Sequence, residues 1–372
     1  MIQILQFADV INRYDFIDSI IQFADRGRFE ISVCRKTDIC NVAEPIFPDQ
    51  TKHRIIKWKG KLGIVPAAFR LAKLLKEWQI DVVHAHHFEP ALVAALAVRM
   101  QKRSRLVFGR HYSDLVLNLP EPKRQFFIWL ERLINCTATR IIVPSTMISD
   151  LLTNLEKIER TKIDIIPYGF VPEKYADISD QERRDLYKEF DLKDKFIIVS
   201  VGKLTTGKGV RFLADAASTL KESIPNLVLV YVGDGDERAY LEQFIRDKHL
   251  ESTIKIAGWR NDVIAFIAVA DVVVQPTLSE AFSQVMGETM SMNKPLIISD
   301  VSGATDIIRS GENGILVPKA DSKALSDAIE KLYSEPQLRD NIGNRGKDFI
   351  DRELSIESII PLYERSYLTA AN

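Results

Sequence analysis

Short runs rich in β-branched residues alternate with longer stretches that carry apolar positions at helical spacing. In the first half of the chain the short runs cover residues 2–7, 30–33, 82–84, 106–108, 141–143 and 163–166. In the second half they cover residues 197–201, 227–232, 254–256, 272–274, 296–298 and 315–317. Such alternation predicts α/β architecture, with parallel sheets covered by helices.

A polar, acidic stretch over residues 172–194 interrupts this alternation and predicts an inter-domain linker with a surface helix. At 372 residues the chain exceeds the usual size of a single core. We therefore expect two doubly wound domains, residues 1–171 and 195–354. Ligands bind at the carboxyl ends of strands in such sheets, so the cleft between the domains is the expected site.

Composition excludes several classes of protein. The net charge of −1 does not suit a generally basic nucleic-acid binder. The cysteines, Cys34, Cys40 and Cys136, form no CxxC pair, and their odd number predicts reduced thiols. No apolar run is long enough to span a bilayer, and the chain enters a strand without a signal-peptide pattern. We expect a cytoplasmic protein.

Two glutamates flank a predicted helix N-terminus in the second half. A buried strand is predicted over residues 271–274, and Ser283 is suited to cap a helix that begins near Gln284. Glu280 lies in the loop before the cap and Glu288 lies within the helix. The first amides of a helix are unpaired and favour anions, so the pattern predicts a ligand with a central phosphate and hydroxyls at both ends. A sugar nucleotide has that shape.

A glycine-bearing turn over residues 203–209 follows another buried strand and opens a helix predicted over residues 210–220. Glycines allow backbone amides to approach phosphate oxygens, and Lys203 and Lys208 add positive charge. The turn predicts diphosphate binding. A P-loop NTPase is an alternative, but Gly209 stands where Ser or Thr would hold magnesium, and that function leaves the two glutamates unexplained.

Together these motifs resemble the large family of retaining glycosyltransferases with the GT-B fold, known as family 4 or glycosyl transferases group 1. The motifs lie at residues 201–203 with 208–209, 232–235, 256–258, 280 with 288, 300–303 and 311–318. The second half of the chain matches closely and the first half loosely. The resemblance implies two Rossmann-like doubly wound domains that face each other across a cleft, with the C-terminal helix, residues 355–372, packing back on the first domain.

The resemblance also implies roles for individual residues. Glu280 would lie beside the donor hexose, Glu288 would hold the ribose, and Lys203 with Lys208 would bind the diphosphate. The catalytic set expected on this basis is Glu280, His111 and Lys208. The donor-binding set is Gly202, Lys203, Arg260, Phe282, Ser283, Gln284, Val285 and Glu288, with Arg260 near the nucleobase.

The chain departs from the family pattern at several positions. Lys203 stands where Arg is usual, which replaces a bidentate phosphate clamp by a point charge. Ser283 stands where Gly is frequent. Asn293 replaces a Gly that ends the helix, and we expect it to adopt the left-handed conformation there. The first loop, residues 8–16, contains no glycine where the family has a Gly-Gly pair.

The first half offers fewer site candidates. His111 follows the strand at residues 106–108, where family members place a histidine near the donor sugar; a packed loop histidine is the alternative. The acceptor-side candidates are Arg13, Asp114 and Arg110, and Arg13 also fits a solvated loop.

Two patterns suggest metal sites at first sight. His84 and His86 would share a face of one strand, but no third ligand has convincing spacing. Asp234 and Asp236 copy the Asp-x-Asp signature of metal-dependent glycosyltransferases, yet turn and N-cap chemistry explains both acids. We expect no essential metal and no cofactor beyond the sugar nucleotide itself.

Residues 52–76 contain many basic residues, no acid, and an apolar pattern at helical spacing that includes Trp58. Basic amphipathic stretches dock on anionic membranes, which would suit a lipid-linked acceptor. A helix that packs on the core and presents an ordinary basic face to water is the alternative.

The expected function is retaining transfer of a hexosyl unit from a UDP- or GDP-linked sugar to an acceptor alcohol or glycan. The resemblance suggests that the departing diphosphate helps to deprotonate the acceptor. A GT-B-type sugar-nucleotide epimerase and a non-catalytic sugar-nucleotide-binding protein are the alternatives. No nucleic-acid partner is expected.

Overall fold

The computed structural model describes residues 1–9, 16–36, 47–48, 51–112, 120–175 and 178–372. These residues form two compact units. The first comprises residues 1–169 and 356–372, and the second comprises residues 170–355.

The first unit is built on a parallel sheet of seven strands in the order β3-β2-β1-β4-β5-β6-β7. The strands are β1 (Ile2–Ala8), β2 (Phe29–Arg35), β3 (His53–Ile55), β4 (Val82–His86), β5 (Arg105–Gly109), β6 (Ala138–Val143) and β7 (Ile163–Ile165). Its helices are α1 (Phe16–Phe23), α2 (Ile64–Glu77), α3 (Phe88–Gln101), α4 (Lys123–Thr137) and α5 (Thr146–Asn154). The strand order reverses between β1 and β4, so a ligand crevice is expected at the carboxyl ends of these two strands.

The second unit has a parallel sheet of six strands in the order β10-β9-β8-β11-β12-β13. The strands are β8 (Phe196–Val201), β9 (Leu227–Val232), β10 (Ile254–Gly258), β11 (Val272–Gln275), β12 (Leu296–Ser299) and β13 (Ile315–Val317). The helices are α6 (Asp180–Glu189), α7 (Val210–Leu220), α8 (Arg238–Asp247), α9 (Val263–Val269), α10 (Gln284–Ser291), α11 (Ser302–Ile307), α12 (Ser322–Ser334) and α13 (Pro336–Phe349). Here the order reverses between β8 and β11, so the equivalent crevice lies at the ends of those strands.

The predicted α/β class with two doubly wound parallel sheets is confirmed, and each predicted strand is present. The strands are nearly continuous apolar runs because helices cover both faces of the sheets. One strand was missed. β3 is only three residues long and pairs with β2 through Val33 and His53. It lies in the basic segment, where so short a strand gives no alternation signal.

The last helix, α14 (Ile356–Ala371), belongs to the first unit, as the resemblance implied. The acidic segment over residues 172–194 belongs to the second unit. Within it, α6 begins with a capping box between Ser179 and Glu182, and Leu186 is its buried residue. Glu189 at its end is bound by Arg260 at 2.9 Å. The segment expected as a linker is therefore tied to the second unit by packing and by charge.

Within the described ranges, none of the helices combines the length and the apolar character needed to cross a bilayer.

Candidate functional site

The loops that follow β8 and β11 are joined by backbone contacts. Gly209 has φ 65°, and a Cβ at this position would lie 1.9 Å from the carbonyl oxygen of Pro276. The Leu278 amide donates to the Gly207 carbonyl at 2.9 Å, and the Thr277 hydroxyl donates to the same oxygen at 3.2 Å. Only glycine permits this approach at position 209. The close packing brings the predicted phosphate turn against the loop that carries Glu280.

Lys208 and Glu280 form an ion pair at this junction, with the lysine ammonium donating to the carboxylate. Both side chains are partly buried. The Lys203 side chain is exposed and makes no hydrogen bond or ion pair with any described residue. A small pocket between the two loops is lined by Gly202, Lys203, Leu204, Lys208, Gln275 and Pro276, among others. The structure therefore gathers one free cation and one paired cation around a small pocket.

The N-terminus of α10 adjoins this loop. Ser283 is the N-cap, as predicted, and its hydroxyl accepts from the Met286 amide at 3.3 Å. Helix geometry leaves the earlier amides, those of Gln284 and Val285, without partners inside the helix. Phe282 is buried with its ring centroid 6.4 Å from that of Phe170. Phe282 therefore anchors the loop, and the two amides without intrahelical partners have the geometry that favours anions at helix N-termini.

Glu288 lies one turn into α10, and its carboxylate makes no hydrogen bond or ion pair with the described residues. Burial raises the pKa of its carboxyl to about 7. The pKa of Tyr175 is also raised, by burial first and then by the charge of Glu288. Gly287, the residue before Glu288, has no Cβ and so allows α10 to lie close to Phe170. A Cβ at position 287 would lie 1.9 Å from the Phe170 ring. An unpartnered, half-buried carboxylate is suited to accept hydrogen bonds from a ligand's hydroxyls.

The end of α10 confirms the expectation for Asn293. Its φ is 60°, and its amide donates to the Met290 carbonyl at 3.0 Å. Asparagine thus adopts the left-handed conformation that the family's glycine would supply.

Arg260 follows β10, but its guanidinium is already engaged. It donates to both carboxylate oxygens of Asp262, at 2.9 and 2.7 Å, and to Glu189 at 2.9 Å. The predicted nucleobase contact would have to compete with these two carboxylates. Trp259, its neighbour, is 65% exposed and was not singled out from the sequence. An exposed indole in this loop presents a flat face on which a base could stack.

The Asp234 carboxylate accepts from the Gly235 amide at 2.8 Å and from Arg238 at 2.8 Å. Turn chemistry therefore explains Asp234, as predicted. The N-cap of α8 is Glu237 and not Asp236. Among the described residues, no group of three His, Cys, Asp or Glu side chains is arranged to hold a metal ion.

In the first unit, His111 is part of a buried hydrogen-bonded chain of side chains. Its Nδ1 lies 3.1 Å from the Tyr168 hydroxyl and its Nε2 lies 3.1 Å from His86 Nδ1. His86 Nε2 lies 2.8 Å from Gln6 Oε1. Gln6 Nε2 in turn donates to the Tyr367 hydroxyl at 2.9 Å. These five residues are called the His–Gln chain below.

The direction of the hydrogen bonds in the His–Gln chain follows from the Gln6 amide. Because its oxygen faces His86, Nε2 of that ring carries the proton and Nδ1 is the acceptor. His111 then donates from Nε2 and accepts from Tyr168 at Nδ1. Burial lowers the pKa of His86 and of His111 well below the usual value, so both rings are neutral.

His111 therefore has no ring nitrogen free for a substrate while Tyr168 is bonded to it. The Phe16 ring packs on both, with centroids 4.5 Å from His111 and 4.4 Å from Tyr168. Gly109 makes room for the cluster, since a Cβ there would lie 2.6 Å from His111 Nε2 and 2.9 Å from His86 Nδ1. Gln6, Phe16 and Tyr168 were missed because their sequence positions carry no motif.

His87 follows β4 and precedes α3 in an unusual backbone conformation, with φ 64° and ψ 172°. Its ring centroid lies 5.3 Å from that of His111. Non-glycine residues rarely adopt this conformation, and such strain concentrates at functional positions.

Arg110 is placed differently from the prediction. Its side chain is 2% exposed, donates to Glu156 at 2.6 Å and lies 3.9 Å from Glu131. The Tyr112 hydroxyl donates to Glu131 at 2.9 Å. The charge of Arg110 is therefore neutralised inside the first unit, and its acceptor-side role stays a prediction. The other two acceptor-side candidates, Arg13 and Asp114, lie outside the described residues.

Comparisons with known proteins identify the family of this chain. Residues 182–349 match the family Glycosyl transferases group 1, and residues 22–174 match Glycosyltransferase Family 4. A putative glycosyltransferase of Bacillus subtilis, EpsD, is 26% identical over 75% of this chain and 74% of its own length. The UDP-Gal:alpha-D-GlcNAc-diphosphoundecaprenol alpha-1,3-galactosyltransferase of Escherichia coli is 26% identical over 72% of this chain and 70% of its own.

The fold is also that of solved structures. The crystal structure of HepE from Anabaena in complex with UDP-glucose superposes with a TM-score of 0.81 and 21% identity. The match covers 98% of this chain and 99% of HepE. At this identity the likeness establishes the fold alone.

Proposed function

Because this chain belongs to the family 4, or group 1, glycosyltransferases and has the GT-B fold, we propose that it moves a hexosyl unit from a nucleotide diphosphate sugar to an acceptor hydroxyl with retention of anomeric configuration. One observation carries the proposal. The phosphate turn with Lys203 and Lys208 is packed against the loop before α10. Glu280 lies in that loop, and Glu288 lies unpartnered in the helix that follows.

We propose a UDP-linked hexose as the donor. The HepE structure holds UDP-glucose, and the Escherichia coli relative uses UDP-Gal by its name. A GDP-linked donor is the competing choice. For the acceptor we propose an alcohol or glycan, carried on a lipid diphosphate or a growing polysaccharide, because the same relative acts on a diphosphoundecaprenol-linked sugar.

In the proposed reaction the acceptor oxygen forms a bond to the anomeric carbon while the bond from that carbon to the diphosphate breaks. The acceptor proton passes to an oxygen of the departing diphosphate on the same face. Lys203, Lys208 and the amides of Gln284 and Val285 stabilise the negative charge that develops on the leaving group. These groups supply the positive charge that a bound metal supplies elsewhere, so we propose that no essential metal is required.

Donor binding changes the pairing of Lys208. The diphosphate draws the ammonium away from Glu280, whose carboxylate then accepts hydrogen bonds from the hexose. Glu288 accepts from the ribose hydroxyls. For His111 to bond a substrate hydroxyl, Tyr168 must first release Nδ1.

Calorimetric titration with UDP, GDP, UDP-glucose and UDP-galactose tests the donor proposal. A competent donor also raises the apparent melting temperature by mass action.

Turnover with a hydroxylated acceptor, followed by NMR of the product, tests retention: an α-linked donor is expected to give an α-linked product. Inverted products overturn retention. A changed free sugar nucleotide without acceptor indicates an epimerase, and binding without turnover indicates a non-catalytic protein. Loss of activity in EDTA that Mg²⁺ restores contradicts metal independence.

We also propose that the enzyme works in the cytoplasm at the inner face of the membrane. The two described cysteines support a reducing compartment: Cys34 is buried, Cys136 is exposed, and both are free thiols. Cys40 lies outside the described residues. Fractionation of cells that express the chain tests this location.

A further inference from the structure

Two helices of the first unit, with the turn before one of them, carry five exposed large apolar side chains although each helix also has a buried face. On α2 and the turn before it, Leu62 is 95% exposed, Val65 51% and Phe69 62%. On α4, Phe126 is 49% exposed and Trp129 60%. These five residues are called the docking patch below. Scattered single apolar residues are ordinary on protein surfaces, but a grouped set indicates an interaction site.

The two halves of the docking patch are joined by Lys61. Its ammonium lies 5.7 Å from the Phe126 ring centroid and 5.5 Å from that of Phe127, so the residue before Leu62 contacts α4. Phe126 and Trp129 stack on one another, with centroids 6.4 Å apart and ring planes 25° apart. A surface assembled from two helices 60 residues apart could not be recognised from the sequence of either.

Packing among the described residues of the first unit does not explain the patch. The core-facing residues of α2 are buried on the other side of the helix: Ala67, Ala68, Leu71, Leu74 and Leu75. Val65 and Phe69 lie on the opposite face, about one turn apart. Trp58, which the sequence pattern grouped with the amphipathic stretch, is 7% exposed and packs against Phe7. The helix thus has a complete core face and a second apolar face toward solvent.

Positive charge predominates around the docking patch, although Glu77 and Glu121 are exposed at its margins. Residues 52–76 contain no Asp or Glu. The exposed basic side chains along this segment and at the start of α4 include Lys59, Lys61, Arg70, Lys73, Lys76 and Lys123. A second protein surface would have to bring both apolar area and acidic groups to match. The surface of an anionic bilayer offers both at once, since acyl chains lie just beneath negatively charged headgroups.

We propose that the docking patch inserts into the interface of an anionic lipid bilayer, with the surrounding lysines and Arg70 bound to headgroups. Aromatic rings prefer this interface, and long basic side chains reach from it toward phosphate groups. The inference deepens the proposed function, since a lipid-borne acceptor would be presented at the same surface, but bilayer binding itself requires neither donor nor acceptor.

Co-sedimentation with vesicles of phosphatidylglycerol and phosphatidylcholine tests the proposal on the full chain. The wild-type protein is expected to bind vesicles rich in phosphatidylglycerol and to bind pure phosphatidylcholine far less. Phe69→Ser with Trp129→Ser is expected to weaken binding by at least about tenfold, because each exposed ring no longer enters the interface. Lys59→Glu with Lys73→Glu is expected to weaken binding to the anionic vesicles only, and added salt is expected to do the same.

Matched controls stand outside the patch. Leu155→Ser removes an apolar side chain of the first unit that is 62% exposed, and Lys319→Glu reverses an exposed charge of the second unit. Both are expected to bind vesicles as the wild type does. Equal binding by the wild type and the Phe69/Trp129 double variant overturns the proposal. So does a dimer, seen by sedimentation without lipid, that the double variant dissociates, because the patch then belongs to a second copy.

The experiments can reject the bilayer-binding proposal and the sugar-nucleotide proposal independently of each other. Calorimetry with UDP on the double variant is expected to match the wild type, because neither residue lies in the donor site. If the wild type bound vesicles but no sugar nucleotide, the proposed donor would be wrong and the lipid-binding surface would stand.

Discussion

The ammonium of Lys208 is bound to the carboxylate of Glu280. The cation assigned to the donor diphosphate and the acid assigned to the donor hexose therefore neutralise each other. The ion pair holds both charges in the site without leaving either unpaired. A donor whose diphosphate binds Lys208 and whose hexose binds Glu280 replaces this single contact by two.

Lys208→Ala is expected to slow turnover roughly 10²–10³-fold at saturating donor, by analogy with the loss of one donor to a developing anion. Steady-state kinetics measure the effect. Lys203→Ala is the companion variant, because Lys203 is exposed and not ion-paired with the described residues. A near-normal rate for Lys208→Ala would show that Lys208 does not stabilise the leaving diphosphate.

Glu280→Gln is expected to separate binding from turnover. Removing the carboxylate releases Lys208, so affinity for free UDP should rise by roughly the two- to fivefold that a partly exposed ion pair represents. Turnover should fall, because the hexose loses its acceptor. Calorimetry with UDP and rates with the full donor measure the two effects. Weaker binding of UDP by Glu280→Gln contradicts the competition between Glu280 and phosphate for Lys208.

The raised pKa of the Glu288 carboxyl predicts that the free energy of unfolding depends on pH. Its folded-state pKa of about 7 exceeds the ordinary value of 4.5, so the native state loses stability as pH rises between these values. Glu288→Gln should therefore be more stable than the wild type at pH 8, by about 1–2 kcal/mol, and similar to it near pH 4.5. Chemical denaturation at the two pH values measures this difference.

The same carboxyl group predicts how nucleotide binding varies with pH. If Glu288 accepts from the ribose as a carboxylate, wild-type affinity for UDP should weaken as pH falls below 7. Glu288→Gln should bind more weakly at pH 8 and lose that pH dependence. Titrations at pH 6 and pH 8 measure it. A variant that binds UDP as the wild type does at pH 8 removes Glu288 from the ribose site.

The His–Gln chain predicts a defined tautomer for His111. Nitrogen-15 NMR of the histidine rings should show His111 protonated at Nε2 and unprotonated at Nδ1. Gln6→Leu removes the acceptor for His86 Nε2 and should destabilise the protein by about 1–3 kcal/mol, because a buried donor is left unpaired. It should also change the His111 ring signals, which a purely local packing defect at Gln6 would leave unchanged. Unaltered signals contradict the coupling.

Gly109→Ala tests the tight packing of the same cluster. The added methyl would lie 2.6 Å from His111 Nε2, which should destabilise the first unit by about 1–3 kcal/mol and displace the ring. Gly207→Ala is the matched control for stability, since a Cβ there meets no atom within 4 Å. Thermal unfolding of both variants measures the difference. Equal melting temperatures contradict the close approach at Gly109.

Much of the fold was predictable because its signals are local. The alternation of strands and helices, the cap at Ser283 and the turn at Asn293 depend on residues within a few positions of one another. The exceptions are instructive. β3 is too short to show a period, and the N-cap of α8 is Glu237, whose side chain makes no capping hydrogen bond.

By itself the sequence determined the two parallel-sheet domains and the residue types around a phosphate site, because hydrophobic period, capping residues and glycines act over short distances. Tertiary structure alone decided which charges meet. Lys208 reaches Glu280 across 72 residues, His86 reaches Gln6 across 80, and Gln6 reaches Tyr367 across 361. Sheet order sets these contacts, and it also placed Arg110 among buried acids and Arg260 between two carboxylates. No short-range pattern records such partners, because they depend on which strand lies beside which.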